Sequence, residues 1–290
     1  MLEEIPVEQP WKMVFIDGHV HIHPRFTTAS VLDAAADNVA REAAGMGVTA
    51  HTEVLGVLML AETSEAHWFA SLRERLDSDH PQQDIPGWTL RKTGDSPPGV
   101  LATRDGAPAL MFVPGQQVGS RERLEVLLLN TETRLPDGLD VDDILARGQA
   151  ADALIVLPWG VGKWLGRRGR LVERLIVDHA TNAALLLGDN GGRPVWWGEP
   201  APFRLARKQG LRVLRGSDPL DLPGEENRIG SFGVRVDTDI PRSTPVTALH
   251  TLLRDPNTPW AMFGNLQQNS RFVRNQFGLQ RKRLARSSGP

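Results

Sequence analysis

At least five short apolar runs, each ended by a polar or glycine-rich loop and separated from the next by a helical pattern, dominate this 290-residue chain. Val54 to Ala61 is apolar with one glycine, Ala109 to Val113 and Ala153 to Leu157 are apolar throughout, and Ala183 to Leu187 closes on Gly188-Asp189-Asn190. Uninterrupted apolar strands of this length suit a sheet covered on both faces, and helices between them supply the cover. The helical stretches follow their own period: Leu32, Ala35, Ala36, Val39 and Ala43 recur at helical spacing before Gly45 and Gly47. Such a rhythm points to an α/β fold whose working face is the carboxyl edge of the strands.

The first strand carries the feature most suggestive of chemistry. Behind Val14-Phe15-Ile16, the run Asp17-Gly18-His19-Val20-His21-Ile22-His23-Pro24 places three of the eight histidines on alternate positions. In an extended chain such residues share a face, so His19, His21 and His23 are expected to project together. Imidazole is the commonest ligand for borderline metals, and with no cysteine in the chain any ion must be held by nitrogen and oxygen donors. His51, His67, His80, His179 and His250 lack a paired neighbour and are expected to be structural or exposed.

Composition narrows the class further. Hydrophobic residues at 40% and charged residues at 23% describe a folded chain. The acidic N-terminus, Glu3, Glu4 and Glu8, gives no signal-peptide pattern, and no apolar stretch is long enough for a membrane span, so a cytoplasmic location without a membrane is expected. A net charge of −2 provides no global attraction for nucleic acid. The segment from Arg271 to Pro290 does hold six Lys or Arg and no acid, which reads as a solvated terminal helix. The expected organisation is an N-terminal extension over 1–12, one α/β body over 13–255, and a C-terminal helix with a basic tail over 256–290. Asp77 to Gly99, rich in Pro and Gly, reads as an insertion or hairpin.

Several short motifs occur in a telling order. Asp17-Gly18-His19-Val20-His21 resembles the opening His-x-His of the polymerase and histidinol phosphatase (PHP) superfamily. Val113-Pro114-Gly115-Gln116-Gln117, followed by Glu125 to Leu129, resembles that family's Gly-x-Glu and the strand after it. Leu157-Pro158-Trp159-Gly160 resembles its His-Pro-apolar-Gly, and Gly216-Ser217-Asp218-Pro219-Leu220 its Gly-Ser-Asp-x-His. The resemblance spans about Phe15 to Val236. It implies a single distorted (β/α)7 barrel with up to three metal ions.

On that resemblance His19, His21 and Asp218 would be metal ligands, with Glu125 as a replacement donor. Asp17 and Glu62 would serve catalysis. From its charge, in a glycine-rich loop at a strand's carboxyl edge, the basic group beyond Leu157 adds Lys163 to catalysis and Arg167, Arg168 and Arg170 to substrate binding. The departures are specific: Gln117 stands where the family has a bridging Glu, and Leu157 and Leu220 stand where it has His. Leucine coordinates nothing, so one divalent ion, Zn, Mn or Fe, is expected rather than a trinuclear centre. The implied activity is hydrolysis of a small phosphorylated substrate by a metal-activated water, with Lys163 to Arg170 steering the phosphate. The lost ligands also fit a different class, a catalytically degenerate PHP-like protein that binds or scaffolds.

Overall fold

The computed structural model describes residues 9–48, 51–77 and 85–287. Residues 1–8 of the expected extension, and His80, lie outside them. Strand β1 (Trp11–Val20) leads to α1 (Thr28–Ala44), β2 (Val54–Leu60) and α2 (Trp68–Asp77). A run of short strands follows: β3 (Thr89–Lys92), β4 (Val100–Thr103), β5 (Ala109–Val113), β6 (Gly115–Gly119) and β7 (Glu125–Leu129). Helices then alternate with strands: α3 (Val141–Ala150), β8 (Leu154–Pro158), α4 (Arg167–Asp178), β9 (Leu185–Asn190), α5 (Ala201–Lys208), β10 (Val213–Gly216), β11 (Gly233–Ile240), α6 (Pro245–Arg254), β12 (Ala261–Phe263) and α7 (Asn269–Ser287). None of the described helices is long and apolar enough to cross a membrane.

The strands do not build the expected distorted (β/α)7 barrel. They form two mixed sheets, seven strands in the order β12-β11-β1-β2-β5-β4-β3 and five in the order β10-β9-β8-β7-β6, and neither closes. The reason lies in the connections. Parallel neighbours need a crossover of a dozen or more residues, whereas β3 to β4, β4 to β5, β5 to β6 and β6 to β7 are joined by short turns. Those turns make β3–β4, β4–β5 and β6–β7 antiparallel; β8 also runs antiparallel to β7, across the longer connection that holds α3, and β11 returns antiparallel to β1. Only β1–β2–β5 and β8–β9–β10 keep the parallel rhythm. The expected hairpin within 77–99 is half of the β3–β4 pair, and Pro114-Gly115, expected as a turn, opens strand β6.

The sheets enclose one shared core. Val14, Ile16, Leu55 and Val57 of the larger sheet meet Leu127, Val156, Leu186 and Leu214 of the smaller. Alternate positions on the same strands pack outward. Ile155, Leu157 and Leu187 lie against residues of α3, α4 and α5, and Leu58, Leu60 and Phe112 lie against those of α1 and α2. Leu157 therefore points into the helix layer and away from any site. Trp11 is fully buried in the shared core, and β12 extends the larger sheet, so the folded body reaches from Trp11 to Phe263. Thr27 caps α1 by accepting from the Ser30 amide at 3.1 Å.

Two contacts between the sheets set the position of the site. At one, Glu62 and Gln116 form an isolated bridge, with the Gln117 amide on the Glu62 carbonyl at 2.8 Å. At the other, Gly216 presses against β1 so closely that a Cβ there would overlap the His19 backbone nitrogen and Cβ. Glycine is required at that crossing.

Candidate metal centre

His19 occupies the end of β1, and His21 lies two residues on, where the backbone stays extended long enough to keep both imidazoles on one side. Their Nε2 atoms are 3.0 Å apart. Asp218, in the loop after β10, brings Oδ1 to 3.7 Å from His19 Nε2 and 3.5 Å from His21 Nε2. One ligand atom from each of the three lies within 4.8 Å of the others. The third alternate histidine leaves the group: His23 Nε2 is 2.9 Å from the Pro219 carbonyl.

Asp218 is held from both ends. Its amide donates to the His19 carbonyl at 2.8 Å, and its Oδ2 accepts from Asn190 Nδ2 at the end of β9. Its φ of +45° lies in the left-handed region, which Asp tolerates better than most residues. Asn190 in turn accepts the Gly192 amide at 2.5 Å. Beneath the triad, the buried Asp17 carboxylate accepts from the amides of Ser217 at 2.8 Å, Gly230 at 2.9 Å and His19 at 3.3 Å. Asp17 therefore welds β1 to the loop that carries Asp218. With its oxygens taken up by backbone amides it is a positioning residue, which corrects its expected catalytic role.

The charge states suit metal binding. Burial, and then the neighbouring His19, push the His21 imidazole down to about 3, so it is neutral, as a ligand must be. Burial alone would lift the Asp218 carboxyl. His19, His21, Lys163 and Arg228 outweigh it and hold the group below the usual carboxylate range. Two imidazoles and a carboxylate are a donor set for Zn, Mn or Fe, and three protein ligands leave positions open, as catalytic sites do. The residues present fit one such ion.

The other expected residues divide. Glu125 pairs with Lys163 and stands outside the triad, so it is not a further ligand. Lys163 does bear on the centre, since its charge acts on both His21 and Asp218. Arg168 donates to the carbonyls of Gly162 at 2.8 Å and Arg123 at 3.4 Å, while Arg167 and Arg170 are exposed on the first turn of α4. None of the three lines the cleft beside the histidines, so the expected arginine grip on substrate does not form.

Glu62, just beyond β2, shares a cleft of about 630 Å3 with His21 and His23. Its carboxylate accepts from the Phe69 amide at 2.8 Å and lies 3.3 Å from Arg134. Burial holds it above its ordinary range, against the pull of that amide and of Arg134. Asn190, and the buried Glu225 that receives Arg228 at 3.3 Å, are functional neighbours that sequence reasoning missed. The polar, glycine-rich end of β9 was the one available signal for Asn190.

No family model matches the chain, and no curated protein does. Among solved structures it is similar to the crystal structure of PsfC from Pseudomonas syringae PB-5123. The TM-score is 0.52 at 14% sequence identity, with 94% of this chain and 98% of that one covered. At that identity the likeness is one of fold.

Proposed function

We propose that the chain is a divalent-metal-dependent hydrolase of phosphate esters, with His19, His21 and Asp218 holding the ion. The observation that carries this reading is the convergence of those three side chains beside an open cleft. Support comes also from the order of motifs that resembles the PHP superfamily. A divalent ion bound there supplies a water acidified toward neutrality and a Lewis acid for the phosphoryl oxygen.

The chain's own residues then have distinct tasks. Lys163 adds positive charge beside Asp218 and favours an anionic substrate. Glu62 stands on the cleft wall, where its carboxyl, raised by burial, is the group placed to exchange a proton with a departing alkoxide. Asp17 and Asn190 keep the three ligands in place without touching substrate.

The test is turnover of 4-nitrophenyl phosphate with added Mn2+ or Zn2+. Wild type is expected to hydrolyse it, and the His19→Ala and His21→Ala variants to lose that activity. Unchanged turnover in either variant would remove these residues from the mechanism. Absence of both metal and turnover in wild type would instead favour the binding or scaffold reading.

A further inference from the structure

A second cavity, of about 460 Å3, opens between α2 and the 131–136 loop, and Glu62 and Ser64 line it and the metal cleft alike. The two spaces are neighbours through Glu62 and through Ser64, whose hydroxyl donates to Asp137 Oδ2 at 2.8 Å. The cavity neighbours the metal cleft, and its volume falls in the range of about 300–1,000 Å3 usual for a small-molecule pocket.

The lining alternates donors and acceptors over apolar ground. Arg73 pairs with Glu132 on the cavity wall, and together they present a guanidinium and a carboxylate. Thr131 is buried, and its hydroxyl accepts the Thr133 amide at 3.1 Å, which frees its proton to donate. Glu74 and Glu132 add acceptors, and Phe69, Pro114 and Leu135 supply apolar surface. Four carboxylates, Glu62, Glu74, Asp77 and Glu132, stand against two guanidiniums, Arg73 and Arg134, in the lining. That balance turns away a second phosphate. It suits a neutral group that both donates and accepts along its edges and is apolar on its faces.

We infer that this cavity is the specificity pocket for a polyhydroxylated organic group, so that the substrate class is the sugar monophosphates. The inference rests on the hydrolase reading for the fate of the phosphate, but the cavity is tested by binding alone. The probes are ribose 5-phosphate, glucose 6-phosphate, phenyl phosphate and O-phosphoethanolamine, titrated calorimetrically into the full chain with and without Mn2+.

At least one sugar phosphate is expected to bind tenfold or more tightly than phenyl phosphate. Ala70→Trp, at an exposed position where a large side chain fills the cavity, is expected to weaken that binding at least tenfold, and Arg73→Ala likewise. Circular dichroism and the melting temperature confirm that both variants fold, and Ala70→Trp, which removes no contact, keeps the test valid if Arg73→Ala does not. Sugar phosphates no tighter than phenyl phosphate, tighter binding of O-phosphoethanolamine, or full affinity in Ala70→Trp would each overturn the assignment. Sugar-phosphate binding in a chain that takes up no metal would sink the hydrolase reading and leave this one intact.

Discussion

The amide of Asp218 donates to the carbonyl of His19 at 2.8 Å, so the carboxylate ligand is tied by its own backbone to the strand that supplies the first imidazole. Gly216 makes that approach possible, and the Asp17 carboxylate secures it from below by gathering the amides of Ser217 and Gly230. The centre is therefore assembled where β10, an edge strand of the smaller sheet, meets the end of β1, an inner strand of the larger. Its geometry depends on that seam as much as on the ligands.

Removing the Asp17 carboxylate strands three buried amides. Asp17→Ala is expected to cost roughly 2–3 kcal/mol in urea denaturation, the penalty for leaving buried donors unpaired. Asp17→Asn keeps one acceptor and should cost less. A change below about 0.5 kcal/mol in Asp17→Ala would show that the seam does not rest on this residue.

Asn190 holds Asp218 without meeting the ion itself. Asn190→Ala is expected to weaken Mn2+ or Zn2+ affinity about 10–100-fold, the usual loss when a ligand's supporting hydrogen bond goes. Equilibrium dialysis reads the effect directly, and unaltered affinity would assign Asn190 to the loop alone.

Gly216→Ala places a methyl group against the His19 backbone. The expected outcome is a lowered melting temperature together with loss of metal uptake, because β10 must move off β1. Retention of both would mean that the seam is looser than the contact implies.

Glu225 ties the terminal helix α7 to the Asp218 loop. Its carboxylate receives Arg271 at 2.9 Å and Asn275 at 3.0 Å from α7, Arg228 at 3.3 Å, and the Leu220 amide at 3.3 Å. Burial pushes its carboxyl up, but Arg228, Arg271 and Asn275 outweigh that and leave it below its ordinary 4.5. A group depressed on folding stabilises fully above its unfolded value and loses that contribution as pH falls through the folded one. The protection of the α7 amides, taken against their intrinsic exchange rates at each pH, is therefore expected to fall below about pH 4.5 in wild type. In Glu225→Gln it should be low already at neutral pH, and equal protection in the two proteins would contradict the tether.

The sequence showed the strand and helix rhythm because buried apolar runs and helical periodicity are local signals. The period of two was enough to bring His19 and His21 together, and only the resemblance pointed to Asp218, 197 positions beyond His21. What failed was non-local. Gly115-Gln116-Gln117-Val118-Gly119 has little strand propensity of its own and becomes β6 because it pairs with Leu127, Leu128 and Leu129. Such antiparallel pairs are what replaced the expected closed barrel with two sheets. The arginines of 167–170 formed a charge cluster in sequence, yet the turn before α4 aims Arg168 at backbone carbonyls and leaves Arg167 and Arg170 on the surface. Composition gives charge, but orientation comes from packing.

The central claim is that one divalent ion sits between His19, His21 and Asp218. Elemental analysis of the purified full chain, after dialysis against Mn2+ or Zn2+ and removal of free metal, measures it most directly. About one equivalent in wild type and none in the His19→Ala/His21→Ala double variant is the expected result. No metal in wild type, or an undiminished equivalent in the double variant, would contradict it.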